Sequence, residues 1–510
     1  MDKDPLSQQE EQRRIASMQP SPEDLPEPLA EPIGAIRSGS LAGKTMWGAI
    51  WFLAIPILIQ QILVACVGLA DKIFAGALSE DVVLPAMDAI GIGSYIGWFI
   101  AVAVSGVGIG AQALIARAMG GGNVADGHKV LGQSLILAFF WGGVVGVILW
   151  FCAAPLGNLC QLSINAKLYL VQYIQVLAIG MPACSVMTTG AMALHGSGDT
   201  VKPAAVTVVV NVVNVIASWS LSGADVRLGK EVIENPFTWD LHVVGIAIGT
   251  SIAYFVGGVL IVWVLLRGSK DLKLHVQDIA PDFSLFWRIA KIGVPNFFEG
   301  LSMWAANLFV LQFIGQIAAK MAIEIDGDEE VVQGFQGAHI IGVQWESFSF
   351  LPGFAIGVAA GTLAGQYLGA GNEKQARKAV LSCMFLAVLF MGTLGLVMMF
   401  AGNTLTSIIS NEPIHLELVP KLLFIAGVTQ IGFALMMVVR QALKGVGDTT
   451  WTMIITSVSS WGVRLPAAWF LGVYLGYGLV GIWYALCGEM IIRGALFYLR
   501  FQYGKWAKQI

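Results

Sequence analysis

Charge is what this chain has least of: Asp, Glu, Lys and Arg make up 12% of its 510 residues, while 56% are hydrophobic. A soluble domain carries roughly a quarter charged residues, so a water-soluble globular protein is excluded. Cysteine is also scarce: Cys66, Cys152, Cys160, Cys184, Cys383 and Cys487 form no Cys-x-x-Cys pair, which argues for packing thiols and against a disulfide framework. The six histidines are scattered, and metal-ligand spacing is lacking. No Gly-x-x-x-x-Gly-Lys-Ser/Thr, His-Glu-x-x-His or Gly-x-Ser-x-Gly occurs, which removes nucleotide-driven, metalloprotease and serine-hydrolase chemistry. Uphill work by such a chain draws on an ion gradient, with no cofactor and no nucleic acid partner expected.

What is abundant is apolar length. Runs of about 20 residues, enough to cross a hydrocarbon core of roughly 30 Å, recur about twelve times. Each is expected to be helical, because backbone facing lipid must satisfy its own hydrogen bonds. Basic residues concentrate in alternate loops, so both termini are expected on the cytoplasmic side of a plasma membrane. The expected organisation is a disordered cytoplasmic tail over 1–44, a six-helix lobe over 45–266, a cytoplasmic linker over 267–284, a second six-helix lobe over 285–503, and a tail over 504–510. The twin Arg13-Arg14 lacks the apolar segment of an export signal.

The chain also repeats itself. Gly120-Gly121-Gly122-Asn123 returns as Gly369-Ala370-Gly371-Asn372, and Gly196-Ser197-Gly198-Asp199-Thr200 as Gly445-Val446-Gly447-Asp448-Thr449, both 249 residues on. Ala54-Ile55-Pro56 and Gly293-Val294-Pro295 agree at 239, and the acidic run Glu324 to Glu330 is the expected insertion. Six spans per half give both halves the same topology. A duplicated apolar chain of this kind points to a transporter with its site between the halves.

Ionisable side chains inside spans are costly and are therefore candidates for function. Glu299 lies about ten residues into the seventh span, near the midplane at 1.5 Å per residue. Glu346 enters the eighth span from the opposite side at a depth of about 12 Å. In a shared cavity the two carboxylates would repel when ionised, favouring proton uptake by one of them. Asp71 falls near the outer end of the first span, which Pro56 interrupts. Asn211, Asn214 and Ser218 form a polar stripe on the fifth. Arg464, Glu489 and Arg493, in the last two spans, are expected to bridge one another. Met and aromatic residues nearby, Met303 and Met436 among them, belong either to the core or to an adaptable wall.

The run Leu69-Ala70-Asp71-Lys72-Ile73-Phe74-Ala75-Gly76, the doubled Gly-x-Gly-Asp-Thr, Glu346-Ser347-Phe348-Ser349-Phe350-Leu351-Pro352-Gly353-Phe354 and Trp461-Gly462-Val463-Arg464-Leu465-Pro466 resemble multidrug and toxic compound extrusion (MATE) transporters over roughly residues 45–503. The resemblance implies an all-α membrane protein of about twelve helices in two pseudo-symmetric six-helix lobes. It further implies export of mostly cationic or amphipathic organic compounds in exchange for H⁺ or Na⁺. Asp71 matches the first-helix acid of the family and Pro56 the proline at which that helix bends in some members. Asn214 matches the fifth-helix polar partner, Thr250 a sixth-helix hydroxyl, Glu299 the seventh-helix acid and Glu346 an eighth-helix acid of part of the family. Ser218 and Phe433 stand where many relatives carry an Asp, which turns the coupling ion towards H⁺ and leaves Na⁺ near Asp71 and Asn214 as the alternative.

The resulting expectation is a monomeric secondary antiporter, not an enzyme, whose partners are a small-molecule substrate and the lipid bilayer, working by alternating access. Protonation of Glu299, with Glu346 or Asp71 contributing, would compete with a cationic substrate in an acidic cavity. A flippase for a lipid-linked precursor, which would need a cationic cavity, is the alternative. A membrane-embedded lipid-modifying enzyme is disfavoured because no clustered nucleophile or metal set is visible.

Overall fold

In the computed structural model, which describes residues 35–159, 162–228, 231–237, 239–326 and 334–508, the chain is almost wholly helical. The first lobe comprises α1 (Met46–Gly76), α2 (Glu80–Gly120), α3 (Val124–Leu159), α4 (Ile164–Ser197), α5 (Val201–Ser222) and α6 (His242–Arg267), with a small antiparallel ribbon of β1 (Val226–Leu228) and β2 (Glu231–Ile233) between α5 and α6. The second lobe comprises α7 (Phe283–Asp326), α8 (Phe335–Gly369), α9 (Glu373–Phe400), the short α10 (Gly402–Ile409), α11 (Pro413–Gly445), α12 (Thr449–Ser459), α13 (Leu465–Ala468) and α14 (Gly478–Tyr503).

Among the described residues, eleven helices are long and apolar enough to span a membrane. The remaining expected span, 450–474, is broken up: π-helical turns at Ser460–Arg464 and Trp469–Tyr474 flank α13. Pro466 lies in this segment, and a wider turn accommodates the N–H it lacks. Large apolar side chains such as Phe140, Phe151, Phe255, Phe385 and Phe400 point outwards. This is the surface expected of a protein whose outer solvent is hydrocarbon.

The duplication is visible in the backbone itself. Gly122 and Gly371 both adopt φ 77°, and Gly198 and Gly447 adopt 86° and 84°, the left-handed conformation that lets each helix stop and turn. Gly120 and Gly369 serve a different need: a Cβ on either would lie about 2 Å from backbone oxygen of the facing helix, at 1.9 Å from Gln366 and 2.0 Å from Arg117 respectively. Only glycine permits the two lobes to touch here.

Each lobe lends its first helix to the other. Ala49, Ile50, Leu53 and Ala54 of α1 pack into the core of the second lobe with Ala359, Leu363 and Val438, while Leu285, Ile289 and Ile292 of α7 pack into the first lobe with Leu114 and Leu131. Pro56 leaves the carbonyl of Phe52 without its helical donor, and Thr200 Oγ1 donates to that oxygen at 3.1 Å. The repeated Gly-x-Gly-Asp-Thr thus completes the first helix in one copy. In the other copy Thr449 Oγ1 is buried without a partner.

Two expectations at the chain ends need correction. Residues 35–44 are not a free tail: Leu41 is 1% exposed in the second lobe's core, Ser38 Oγ donates to the Met119 carbonyl at 2.6 Å, and Gly39 N donates to Asp271 Oδ2 at 2.6 Å. At the other end Trp506, in the expected tail 504–510, is buried against Phe501 and donates to its carbonyl at 2.6 Å. In both cases a single apolar side chain finds a crevice between helix ends that sequence periodicity does not register. The rest of the expected tail, 1–34, and residues 327–330 of the expected insertion lie outside the described residues.

Candidate functional site

Among the described residues, three groups of polar side chains around acids of the sequence analysis lie within the apolar body. In the first lobe, Asp71 is 5% exposed near the end of α1. Its Oδ2 faces the Tyr173 hydroxyl and Thr250 Oγ1, each at 3.4 Å, while Asn214 Nδ2 donates to Thr250 Oγ1 at 3.0 Å. Thr250 has one hydroxyl proton, and the Ile246 carbonyl at 3.1 Å competes for it. Asp71 Oδ1 and Asn214 Oδ1 are buried and receive no donor. No described cation stands within ion-pair distance of Asp71. A buried carboxyl with neutral partners and a spare oxygen is costly when ionised, and a proton or an alkali cation would relieve that cost. The set is all oxygen, as Na⁺ requires, and a proton on Oδ1 would equally satisfy it.

Sequence reading placed Asp71, Asn214 and Thr250 in one site, and the structure gathers all three. It missed Tyr173, which resembles any aromatic core residue until its hydroxyl is seen 3.4 Å from Asp71 Oδ2. Ser218 closes the group by accepting from Asn214 Nδ2 at 3.4 Å and donating to the Ile246 carbonyl at 3.2 Å. Asn211 bonds back to the Thr207 carbonyl in its own helix and stays apart.

In the second lobe Glu299 is fully buried and saturated. It accepts from Arg440 Nε, from Lys444 Nζ at 3.0 Å, from Thr452 Oγ1 at 3.0 Å and from Thr456 Oγ1 at 3.1 Å. Lys444 also donates to Asn296 Oδ1 at 2.6 Å. The expectation of a free titrating acid at Glu299 is therefore replaced by a carboxylate held by two cations. Arg440 and Lys444 lie in the last turns of α11, where sequence alone suggests loop cations, but four residues apart on that helix they meet α7 instead.

The third cluster matches its expectation. Glu489 pairs with Arg464 at 2.9 Å and Arg493 at 2.5 Å, with Ser459 donating to the same carboxylate. The π turn at Ser460–Arg464 sets Arg464 against α14.

The second lobe also holds a cavity of about 430 Å³, facing Tyr95 of the first. Glu346 is on its wall, as are Arg440, Arg464 and Arg493. Glu299 is not, because Arg440 stands on the wall where the two acids were expected to meet. The acidic cavity expected from sequence thus carries three guanidinium groups and one carboxylate. Phe433 contributes apolar wall, its ring centroid 6.4 Å from that of Phe350.

A separate seam of hydrogen bonds joins the two lobes. Gln112 Nε2 donates to Thr362 Oγ1 at 3.3 Å, Thr362 Oγ1 to the His195 carbonyl at 3.1 Å, and Gln366 Nε2 to the Gly196 carbonyl at 2.8 Å. Residues 37–40 bond beside this seam, to the Gly120 and Ser197 carbonyls and to Asp271 Oδ2.

Comparison with known proteins places these features. The family profile described as MatE matches residues 56–220 and 305–470, one segment in each lobe. The Thermotoga maritima probable multidrug resistance protein NorM is 28% identical over 458 residues, covering 90% of this chain and 92% of that protein. Among solved structures, a MOP superfamily transporter from Pyrococcus furiosus, described as having a binding pocket of reverse polarity, superposes with a TM-score of 0.79 at 18% identity over 91% of this chain and 98% of its own. The Vibrio cholerae MATE transporter VcmN in its bent form gives 0.77 at 18% identity, over 91% and 97%.

Proposed function

The chain belongs to the MatE family, whose members are transporters and not enzymes, and from that premise we propose that it exports amphipathic organic compounds by antiport with H⁺ or Na⁺. One observation supports the coupling site: in the Asp71, Asn214, Thr250 and Tyr173 group, two buried oxygens have no donor, and no cation forms an ion pair there, among the described residues. The coupling ion neutralises Asp71, with H⁺ preferred because Ser218 supplies no second carboxylate. Glu299 keeps its two cations through the cycle and acts as a fixed joint between α7 and α11.

Alternation then exchanges two closures. The bonds joining Gln112, Thr362 and Gln366 to their partners release, the first halves of α1 and α7 slide off the opposite lobe, and the closed side opens. An inward proton falling through 100 mV contributes about 2.3 kcal/mol, sufficient for roughly fifty-fold accumulation of an electroneutral solute. The working unit is a monomer in the plasma membrane with its closed side, termini and linker in the cytoplasm, and the lobes divide at the linker 267–284. A second reading, export of a lipid-linked polar precursor, is favoured by the guanidinium groups on the cavity wall.

Reconstituted vesicles with imposed ΔpH and ΔNa⁺, applied separately, test the proposal. One gradient should drive substrate movement, and Asp71→Asn should abolish that drive while the protein remains folded. Equal flux without any gradient would reject antiport, and gradient-driven flux through Asp71→Asn would reject the site.

A further inference from the structure

The second lobe carries more positive charge than the carboxylates behind it balance. Arg440 and Lys444 share Glu299, and Arg464 and Arg493 share Glu489. Four cations on two carboxylates leave two charges in excess, and Glu346, the one acid on the cavity wall, offsets a single charge. A purely structural ion-pair network has no use for the surplus, since an uncompensated buried charge is expensive.

The surplus is also focused. Arg440 Nη2 and Arg493 Nη1 both rest on the Met303 sulfur, at 3.7 and 3.8 Å, and Arg464 Nη1 donates to Asn307 Oδ1 at 3.0 Å. A thioether accepts hydrogen bonds weakly and an amide oxygen carries no charge, so neither neutralises the groups it touches. All five residues line the same cavity. Beside them the wall is apolar and aromatic, with Phe350, Phe433 and Met436. Guanidinium forks match planar or tetrahedral oxyanions, and Met and aromatic side chains accommodate varied apolar shapes.

We propose that this cavity is an anion-recognition site: it takes the carboxylate, phosphate or sulfonate head of an amphipathic organic molecule between Arg440, Arg464 and Arg493, with the apolar body against the methionine and aromatic wall. The assignment names the cargo of the transport reading above and reverses the cationic cargo expected from sequence. It rests on that reading for its role, but the binding itself needs no gradient.

The test is binding to the full-length protein in a neutral maltoside micelle, followed by probe fluorescence. Dansylglycine supplies a carboxylate, and the dansyl derivative of ethylenediamine supplies an ammonium on the same ring. The acid should bind at least roughly tenfold tighter than the amine. Arg440→Gln, which leaves Glu299 paired with Lys444, should weaken the acid roughly tenfold. Met303→Glu, which deletes no member of an existing ion pair and places an internal carboxylate among the guanidinium groups, should abolish acid binding, whereas Met303→Gln should not. Tighter binding of the amine, or unchanged acid affinity in both Arg440→Gln and Met303→Glu, would overturn the proposal.

Competition by short-chain phosphatidylglycerol against short-chain phosphatidylcholine separates the two sources of such a head. Displacement by the acidic lipid alone assigns a lipid headgroup; displacement by neither assigns a soluble acid; displacement by both equally counts against charge recognition. Acid binding without gradient-driven flux in vesicles would sink antiport and leave this site standing. Gradient-driven flux of cations alone would do the reverse.

Discussion

Glu299→Gln separates a fixed ionic joint from a titrating acid. Glutamine preserves the shape of the side chain and one carbonyl oxygen, so one of Thr452 and Thr456, which donate to different carboxylate oxygens, keeps its acceptor, but Arg440 and Lys444 lose their shared charge. The two cations then differ. Arg440 is 15% exposed on a cavity wall and can regain water, whereas Lys444, 7% exposed, is left with Asn296 at 2.6 Å. Removing one partner of a buried pair costs about 3–5 kcal/mol, and the stranded Lys444 places this variant within that range. Lys444→Met alone leaves Glu299 with Arg440 and two hydroxyls and should cost only about 1–3 kcal/mol. The double variant removes both charges together, so its loss should fall short of the sum by about 1–3 kcal/mol. Equilibrium unfolding in mixed micelles, followed by tryptophan fluorescence, measures each term. Wild-type stability of Glu299→Gln together with loss of gradient dependence would refute the reasoning, because it would show a carboxyl that spends part of its cycle neutral.

The other predictions concern the repeat, the seams and the first lobe. Thr200→Val should cost about 1–3 kcal/mol by orphaning the Phe52 carbonyl, and Pro56→Ala, which restores a backbone donor to that carbonyl, should make the same change nearly free in a double-mutant cycle. Leu41→Ala should destabilise by about 2–5 kcal/mol, read by the same unfolding assay, since the side chain is 1% exposed in the second lobe's core; no loss would mean that the segment is not docked. Gly369→Ala, whose Cβ would lie 2.0 Å from the Arg117 carbonyl, should wedge the closed side apart and raise thiol labelling of Gln112→Cys; unchanged labelling would place the seam elsewhere. Asp71→Asn should leave unfolding stability within about 1 kcal/mol, because no described cation depends on Asp71 for its pairing.

How much of the site could be read in advance depended on what each residue's partners were made of. Asp71, Asn214 and Thr250 were legible because polar side chains are rare in such spans and each announces itself. Tyr173 was not, since a tyrosine on an apolar helix is ordinary until an acid is packed against it. Glu299 was legible as a site and misread in role, for its cations sit on α11, more than a hundred residues away. The polarity of the cavity went wrong for the same reason: a carboxylate's charge is visible in sequence, but its neutralisation is a matter of which helix faces it.

The amino-acid sequence by itself determined that this protein lives in a membrane, that it is helical, and that it is built twice, because hydropathy, backbone hydrogen-bond economy and repeated glycine turns are local properties of the chain. Only the tertiary structure decided which lobe holds a free acid and which a bound one, where the positive surplus gathers, and how the first helix of each lobe comes to rest in the other. Those outcomes depend on distances between residues far apart in the chain, and Coulomb energy and packing respond to such distances and not to order along a strand of text.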